Sequence, residues 1–450
     1  MPTALIVLAA GQGTRMNSEV PKVLHKLGGF PMFAHALRAA DTLEAEKTIL
    51  VVGRDARAVA KSAQDLNDEI VVVEQDKQLG TGHAVAQAKS ALADFEGEVV
   101  VLYGDTPFVR SETLAKMAKA REHFDLVVLG FEADDPQKYG RLVMQGDDLL
   151  KIVEFKDATA EEKSITFCNS GIIFTSAPII FDLIDAVGTD NASGEYYLTD
   201  IVEVANRQGL TATAVACAPE ETLGINDRQQ LAQAEAAFQV RARADALKNG
   251  VTLTAPETVF FALDTHLGRD VVVEPNVVFG PGVTVETGAT IRSFSHLEGC
   301  HIGAGATVGP FARLRPGAEL ANNSRVGNFV EIKNSEIGEG AKIGHLTYVG
   351  DADIGAGTNI GAGTVTCNYD GVNKHRTQIG KNAFIGSATM LVAPVKIGDD
   401  AFTATGSVIT SDVPDGALAI ARAPQQTKPG LARKLFEKLK TNKVNREKDT

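Results

Sequence analysis

A loop of small residues, Gly11-Gln12-Gly13-Thr14-Arg15, is followed by Lys22 in the segment Pro21-Lys22-Val23-Leu24. The paired glycines leave backbone N–H groups free to close around phosphate oxygens, and Arg15 sets a fixed positive charge beside them. A second cation within reach of the same loop suits a triphosphate. The loop lacks the third glycine of G-x-G-x-x-G, which disfavours a dinucleotide, and it lacks the Gly-Lys-Ser/Thr of a P-loop. Far downstream, Arg315 and Lys333 stand eighteen residues apart, His345 follows twelve later, and Asn368, Tyr369 and Lys374 share one polar stretch. If eighteen residues make one turn of a repeat, the two cations stack, and like charges that close call for an anion between them. Two independent surface cations are the competing reading. His345 alone reads as structural, and its company is what points to acid–base chemistry, for which an imidazole titrating near neutrality is suited.

The elements that must position these residues differ between the two halves. Val273, Phe279, Val285, Ile291 and Leu297 recur every six residues, as do Ile302, Val308, Leu314, Leu320, Val326 and Ile332. The register slips by one and resumes at Ile337, Ile343, Val349, Ile354 and Ile360, then again at Ile379, Ile385, Leu391 and Ile397. This period predicts a parallel β-helix, with each hexapeptide giving a short strand and a turn and three of them closing a triangular coil. Gly or Asn beside the apolar residue permits the corners. On that geometry Arg315 and Lys333 stack about 5 Å apart. The stretch Val365 to Gln378 breaks the step, and a solenoid accepts such an insertion only as a loop leaving a corner. Its Asn, Tyr, Lys, His and Arg make it a site candidate, with a decorated surface loop as the alternative.

The first half alternates apolar runs (TALIVLAA, KTILVVG, EIVVVE, EVVVLYGD) with amphipathic segments, which predicts a mostly parallel sheet flanked by helices. Ligands of such sheets sit at the carboxyl ends of the strands. The glycine loop at 9–15 and the segment of Asp105 both fall there. The expected organisation is an α/β Rossmann-like domain over 1–225, a connecting helix over 226–249, the β-helix over 250–427, and a basic, partly disordered tail over 428–450. The tail has a short amphipathic portion, LARKLFEKLK.

The chain has 450 residues, 44% hydrophobic and 22% charged, with a formal net charge of −13. That composition gives two or three domains with a sizeable core and argues against nucleic-acid or anionic-membrane partners. Cys168, Cys217, Cys300 and Cys367 show no C-x-x-C spacing, and the chain opens directly on a strand pattern. A reducing, cytoplasmic setting without a zinc site is expected.

The segment LAAGQGTRMNSEVPKVLHKLGGFPM resembles the signature of sugar-1-phosphate nucleotidyltransferases. With the hexapeptide half behind it, the chain to about residue 425 resembles the bacterial bifunctional UDP-N-acetylglucosamine pyrophosphorylase / glucosamine-1-phosphate N-acetyltransferase family. The resemblance implies a nucleotidyltransferase domain, a left-handed β-helix and a homotrimer. It also implies Mg²⁺, acetyl-CoA as co-substrate, and glucosamine 1-phosphate, UTP and N-acetylglucosamine 1-phosphate as substrates for cell-wall precursors.

Carried over by residue, the resemblance places UTP on Leu8, Ala9, Ala10, Gly11, Gly13, Arg15 and Lys22, its uracil on Gln75, Gly80 and Thr81. Tyr103 closes the strand leading to the metal ligands Asp105 and Asn226, and Gly140, Glu154 and Asn169 line the sugar end. In the β-helix, His345 is the implied general base for the amine of glucosamine 1-phosphate. Arg315, Lys333, Tyr348 and Asn359 would hold that sugar phosphate, and Asn368 would orient the amine. Acetyl-CoA falls to Asn368, Tyr369, Ser387, Thr405 and Arg422. Two positions depart from the family: Asn226-Asp227 replaces its common Asn-Asn, and Thr405 stands where Ala is usual. A nucleotidyltransferase whose β-helix only holds an oligomer together is the alternative, against which Arg315, Lys333, His345, Asn368 and Tyr369 have no reason to assemble in a spacer.

Overall fold

The run TALIVLA has no polar face, and in the computed structural model it forms the strand Thr3–Ala9, buried at every residue. A strand covered on both sides must read as a continuous apolar run. The model describes residues 2–54 and 56–448. Two units emerge. The first holds the chain up to Asn249 together with Ala255–Thr265 and Val278–Pro281, and the second holds Gly250–Thr254, His266–Val277 and the chain from Gly282 onward.

In the first unit the principal sheet runs Ala212–Cys217, Leu126–Glu132, Phe167–Ser176, Glu98–Tyr103, Thr3–Ala9, Lys47–Gly53, Val71–Gln75. Phe167–Ser176 is antiparallel to both neighbours and the other pairs are parallel. Alternation along Thr3–Ala9 sends Ile6 and Leu8 to one core with Val85 and Ile201, and Val7 and Ala9 to the other with Phe33 and Met117. Helices therefore cover both faces, as expected. Leu8 pairs with Tyr103 at the carboxyl ends of adjacent strands, which brings the glycine loop beside the Asp105 turn.

The helix Arg228–Lys248 lies inside the span expected for the connecting helix, 226–249. It packs within the first unit, because Ala234 and Phe238 join a cluster with Leu27, Met32, Phe108 and Ile225.

The second unit is the β-helix. Three faces repeat, with Ile343, Ile360 and Ile385 turned inward from the first, Ile332, Val349 and Leu391 from the second, and Ile337, Ile354 and Ile379 from the third. All are nearly inaccessible, as the six-residue step requires. Not every corner uses Gly or Asn. Phe294, Phe311 and Phe329 turn successive first corners at φ of 60°, 54° and 56°, and their rings stack at 4.9 and 5.2 Å. Each aromatic contact contributes about 0.5–1.5 kcal/mol beyond burial, which offsets part of the left-handed backbone cost of about 1–2 kcal/mol per residue.

The insertion leaves the corner after the second face. Thr366 pairs with Leu391 and Ile354 with Ile379 on either side of it, so the coil resumes undisturbed. Within the expected tail, Leu431–Lys448 is a helix that includes the amphipathic portion, since Leu, Ala, Arg, Lys and Glu favour that state. Among the described residues no helix is long and apolar enough to cross a membrane.

Candidate active sites

The glycine loop closes tightly on Lys22. At Gly13, whose φ is +63°, a Cβ would stand 2.5 Å from Lys22 Cβ, so only glycine lets the two segments meet. Lys22 is buried on a short 3₁₀ turn, Lys22–Leu24. Its ammonium pairs with the Asp105 carboxylate and donates to Asn226 Oδ1 at 3.2 Å. The expected phosphate lysine and the two expected metal ligands thus form one cluster. Two hard oxygens that converge on one positive charge are a donor set that fits Mg²⁺, which takes few protein oxygens and fills its shell with water and phosphate.

Asp227 has a structural role of its own. Asp227 caps the helix Arg228–Lys248, its carboxylate accepting from the Gln230 N–H at 2.8 Å, while Gln230 Oε1 accepts from the Asn226 N–H at 2.7 Å. Asp227 is occupied as a cap, which leaves Asn226 to face Lys22. Arg15 is exposed at the rim of the loop. Leu8 and Ala9 are buried in their strand, and a cavity of about 450 Å³ opens against Ala9, Ala10, Gly11, Gln12 and Gln75.

Gln75 is buried, and its amide donates to the Gly80 carbonyl at 3.1 Å. Gly80 has φ +113°, and a Cβ there would lie 2.5 Å from the Tyr196 carbonyl. Thr81 Oγ1 accepts from the Leu198 N–H at 3.1 Å. Gln78, which the sequence reading did not single out, donates to the Ala10 carbonyl at 2.7 Å and ties this segment to the glycine loop.

Among the residues expected at the sugar end, the Asn169 N–H donates to the Gly140 carbonyl at 2.9 Å, and Glu154 stands 3.5 Å from where a Gly140 Cβ would be. Burial of Tyr103 raises its pKa, and Asp105 and Glu154 add to the effect. Burial likewise raises Glu154, although Thr199 Oγ1 donates to it at 3.1 Å. Thr199 is a contact that sequence spacing could not reveal.

Asp200 shares a cavity of about 380 Å³ with Glu154. Its carboxyl is pushed up to about 6, by burial first and then by Glu154, Glu203 and Asp157. The folded state therefore holds this proton more tightly than the unfolded chain, whose aspartates titrate near about 3.9. The linked stability is present below about pH 4 and lost as pH rises towards about 6. Asp200→Asn escapes that loss. Its Tm relative to the parent should gain a few degrees between about pH 4 and about pH 7, and a flat difference across that range would refute the shift.

In the β-helix, Arg313 pairs with Glu331 and Leu314 with Ile332, so Arg315 and Lys333 fall on one corner, after the second face. Arg315 donates to Glu331 Oε1 at 2.8 Å. The insertion brings Lys374 against Lys333, and that contact, with burial and Arg315, lowers the Lys333 pKa. Three cations thus share one corner. Asn368 is buried at the same corner, and the Tyr348 hydroxyl and the Asn368 amide both lie against Gly350.

His345 is not at this corner. It pairs with Asn328 and sits exposed at the corner between the first and second faces, the adjoining edge. Ser387 and Thr405 follow on that edge in successive coils, with the Gly406 N–H donating to the Ser387 carbonyl at 2.8 Å. Asn359 lies on the first face, pairing with Lys342 and Phe384. Tyr369 is exposed on the insertion, its hydroxyl donating to the Gly371 carbonyl at 2.5 Å, and Arg422 is exposed beyond the last coils. Within one chain, His345 and the corner of Arg315, Lys333 and Lys374 are therefore separated by one face of the prism.

Residues 5–161 match the family model of the MobA-like NTP transferase domain, and residues 299–334 match that of the bacterial transferase hexapeptide (six repeats). The Bifunctional protein GlmU of Ruegeria sp. (strain TM1040) is 64% identical over 448 residues, with 100% of each chain covered. Its namesake in Jannaschia sp. (strain CCS1) is 60% identical over 448 residues, covering 100% of this chain and 99% of that one. Among solved structures, the inositol-1-phosphate CTP transferase from T. maritima shares 18% identity at a TM-score of 0.43, over 52% of this chain and 96% of its own. With full-length relatives at this identity, the chain belongs to the family of the bifunctional GlmU proteins.

Proposed function

We propose that the chain acetylates glucosamine 1-phosphate with acetyl-CoA in its β-helix and transfers UMP from UTP to N-acetylglucosamine 1-phosphate in its α/β unit. The products are UDP-N-acetylglucosamine and pyrophosphate. What carries the reading is that one chain contains two separate charged clusters, Lys22 with Asp105 and Asn226, and Arg315 with Lys333 and Lys374.

In the first reaction the amine attacks the thioester carbonyl, the thiolate of CoA leaves, and His345 takes the proton that the nitrogen loses. Arg315, Lys333 and Lys374 hold the phosphate, Tyr348 and Asn359 the sugar, and Ser387, Thr405, Tyr369 and Arg422 the cofactor. In the second, a phosphate oxygen of the sugar attacks the α-phosphorus of UTP and pyrophosphate leaves, without a covalent enzyme intermediate. The glycine loop, Arg15 and Lys22 position the triphosphate, Gln75 and Thr81 the base, and Glu154 and Asn169 the sugar. Asp105 and Asn226 would hold Mg²⁺, which neutralises phosphate charge when bound.

A homotrimer is part of the proposal, because a second chain supplies the wall that a cofactor groove on a flat prism face lacks, and closed rings are the favoured assemblies. The setting is cytoplasmic. The test pairs two assays on the purified chain: thiol release from acetyl-CoA with glucosamine 1-phosphate, and Mg²⁺-dependent pyrophosphate release from UTP with N-acetylglucosamine 1-phosphate. Both should be present in a species with the mass of three chains. Absence of thiol release would leave a nucleotidyltransferase with an inert solenoid, and a monomer active in both assays would remove the trimer.

A further inference from the structure

Asp351 stacks on Asn334, one residue past the Lys333–Gly350 pair, and so falls on the anion corner. It is 6% exposed and turns that corner at φ +48°, a conformation aspartate tolerates better than most residues. Its backbone is clamped, since Thr366 Oγ1 accepts from the Gly350 N–H at 2.8 Å and donates to the Gly350 carbonyl at 3.0 Å. Both carboxylate oxygens are committed to amides. Asn334 Nδ2 donates to Oδ1 at 2.5 Å, and Asn368 Nδ2 donates to Oδ2.

Burial alone would raise this carboxyl's pKa, but the two amide donors, Lys333 and Lys374 outweigh it and hold it below the usual range. Asp351 is therefore an ionised group that can only accept hydrogen bonds. That settles the orientation of Asn368, whose NH₂ must turn to the carboxylate. Its Oδ1 is left as an acceptor.

We infer that Asp351 is a positioning residue for acetyl transfer, fixing the Asn368 amide so that its oxygen accepts from the amine of the incoming sugar phosphate. This rests on the acetyl-transfer reading above. An amine held by an oxygen acceptor presents its lone pair away from that oxygen, and turning the amide round would oppose an N–H to the amine instead. A misplaced nucleophile costs on the order of 10²-fold in rate.

The tests use the full chain, with uridylyl transfer and Tm recorded alongside. Asp351→Asn can donate to Asn368 and turn it round, so kcat for thiol release should fall about 10- to 100-fold, while KM for acetyl-CoA and uridylyl transfer hold. The exchange Asp351→Asn with Asn368→Asp restores one amide facing one carboxylate and again points an oxygen at the amine. It should recover kcat to within about tenfold of the parent, a rescue that a merely structural role does not produce. In an Asn368→Ala background, Asp351→Asn should cost nothing further in kcat. Parental kcat in Asp351→Asn, or an exchange no faster than the single variant, overturns the inference. Parental kcat in Asn368→Ala removes Asn368 from the site, and Asp351 with it; absence of thiol release in the parent sinks the acetyl-transfer reading itself.

Discussion

Asp105→Ala should lower UTP-dependent pyrophosphate release by about 10³-fold and leave thiol release from acetyl-CoA at the parental rate. Asp105 supplies the only formal negative charge in the Lys22, Asp105, Asn226 cluster. Removing it takes an oxygen ligand from the proposed Mg²⁺ site and frees Lys22 from the pair that holds it. The Lys22 side chain is only 10% exposed, and stranding a buried charge costs about 3–5 kcal/mol. Alanine therefore also threatens the first unit's stability. Asp105→Asn is the companion variant, since it keeps the shape and an oxygen for Lys22 while removing the charge. Both should lose uridylyl transfer, and the asparagine variant should stay folded by Tm. Asp105 lies in a different unit from His345 and Lys333, so thiol release has no reason to change. Loss of both activities together in the folded asparagine variant would show that the two sites are not independent, and persistent pyrophosphate release would remove Asp105 from the reaction.

Much of this was legible before any coordinates, for a reason that differs between the halves. A six-residue period fixes which side chains share a corner, so Arg315 above Lys333 followed from spacing alone, as did the insertion at a corner between Val365 and Gln378. Asp351 shares that corner through Asn334, past the one-residue slip in the register, and an aspartate at a corner carries no signal until its two amide partners are seen. In the α/β unit the motifs gave the loop and the strand ends. They could not say that Lys22 lies between Asp105 and Asn226, because those residues are brought together by sheet order and not by sequence distance. The choice between Asn226 and Asp227 was hidden for a local reason: both offer an oxygen, and only the start of a helix at Arg228 commits Asp227 to capping. Spacing also could not show that Phe238 anchors the helix Arg228–Lys248 against Leu27, Met32, Phe108 and Ile225.

His345→Ala should reduce kcat for thiol release by about 10²- to 10⁴-fold, the range for losing a general base, with uridylyl transfer unchanged. The fold gives this substitution little to disturb. The imidazole is exposed, and the corner is held by backbone: the His345 carbonyl accepts from Thr347 Oγ1 at 2.9 Å, and Leu346 makes the turn at φ +55°. A surface truncation of this kind usually moves stability by about 0.5 kcal/mol or less, so a large kinetic loss at constant Tm would be chemical in origin. The separation of the two corners adds a second signature. His345 lies one face away from Arg315, Lys333 and Lys374, so removing it should leave KM for glucosamine 1-phosphate nearly as it was. Lys333→Ala should do the reverse, raising that KM by about 10-fold or more with a smaller change in kcat, since a charged contact to phosphate is worth about 1.5–3 kcal/mol. Added imidazole should restore part of the rate in His345→Ala and none in Lys333→Ala. If His345→Ala retains the parental kcat, a different group deprotonates the amine and the corner of Ser387 and Thr405 loses its claim to the reacting thioester.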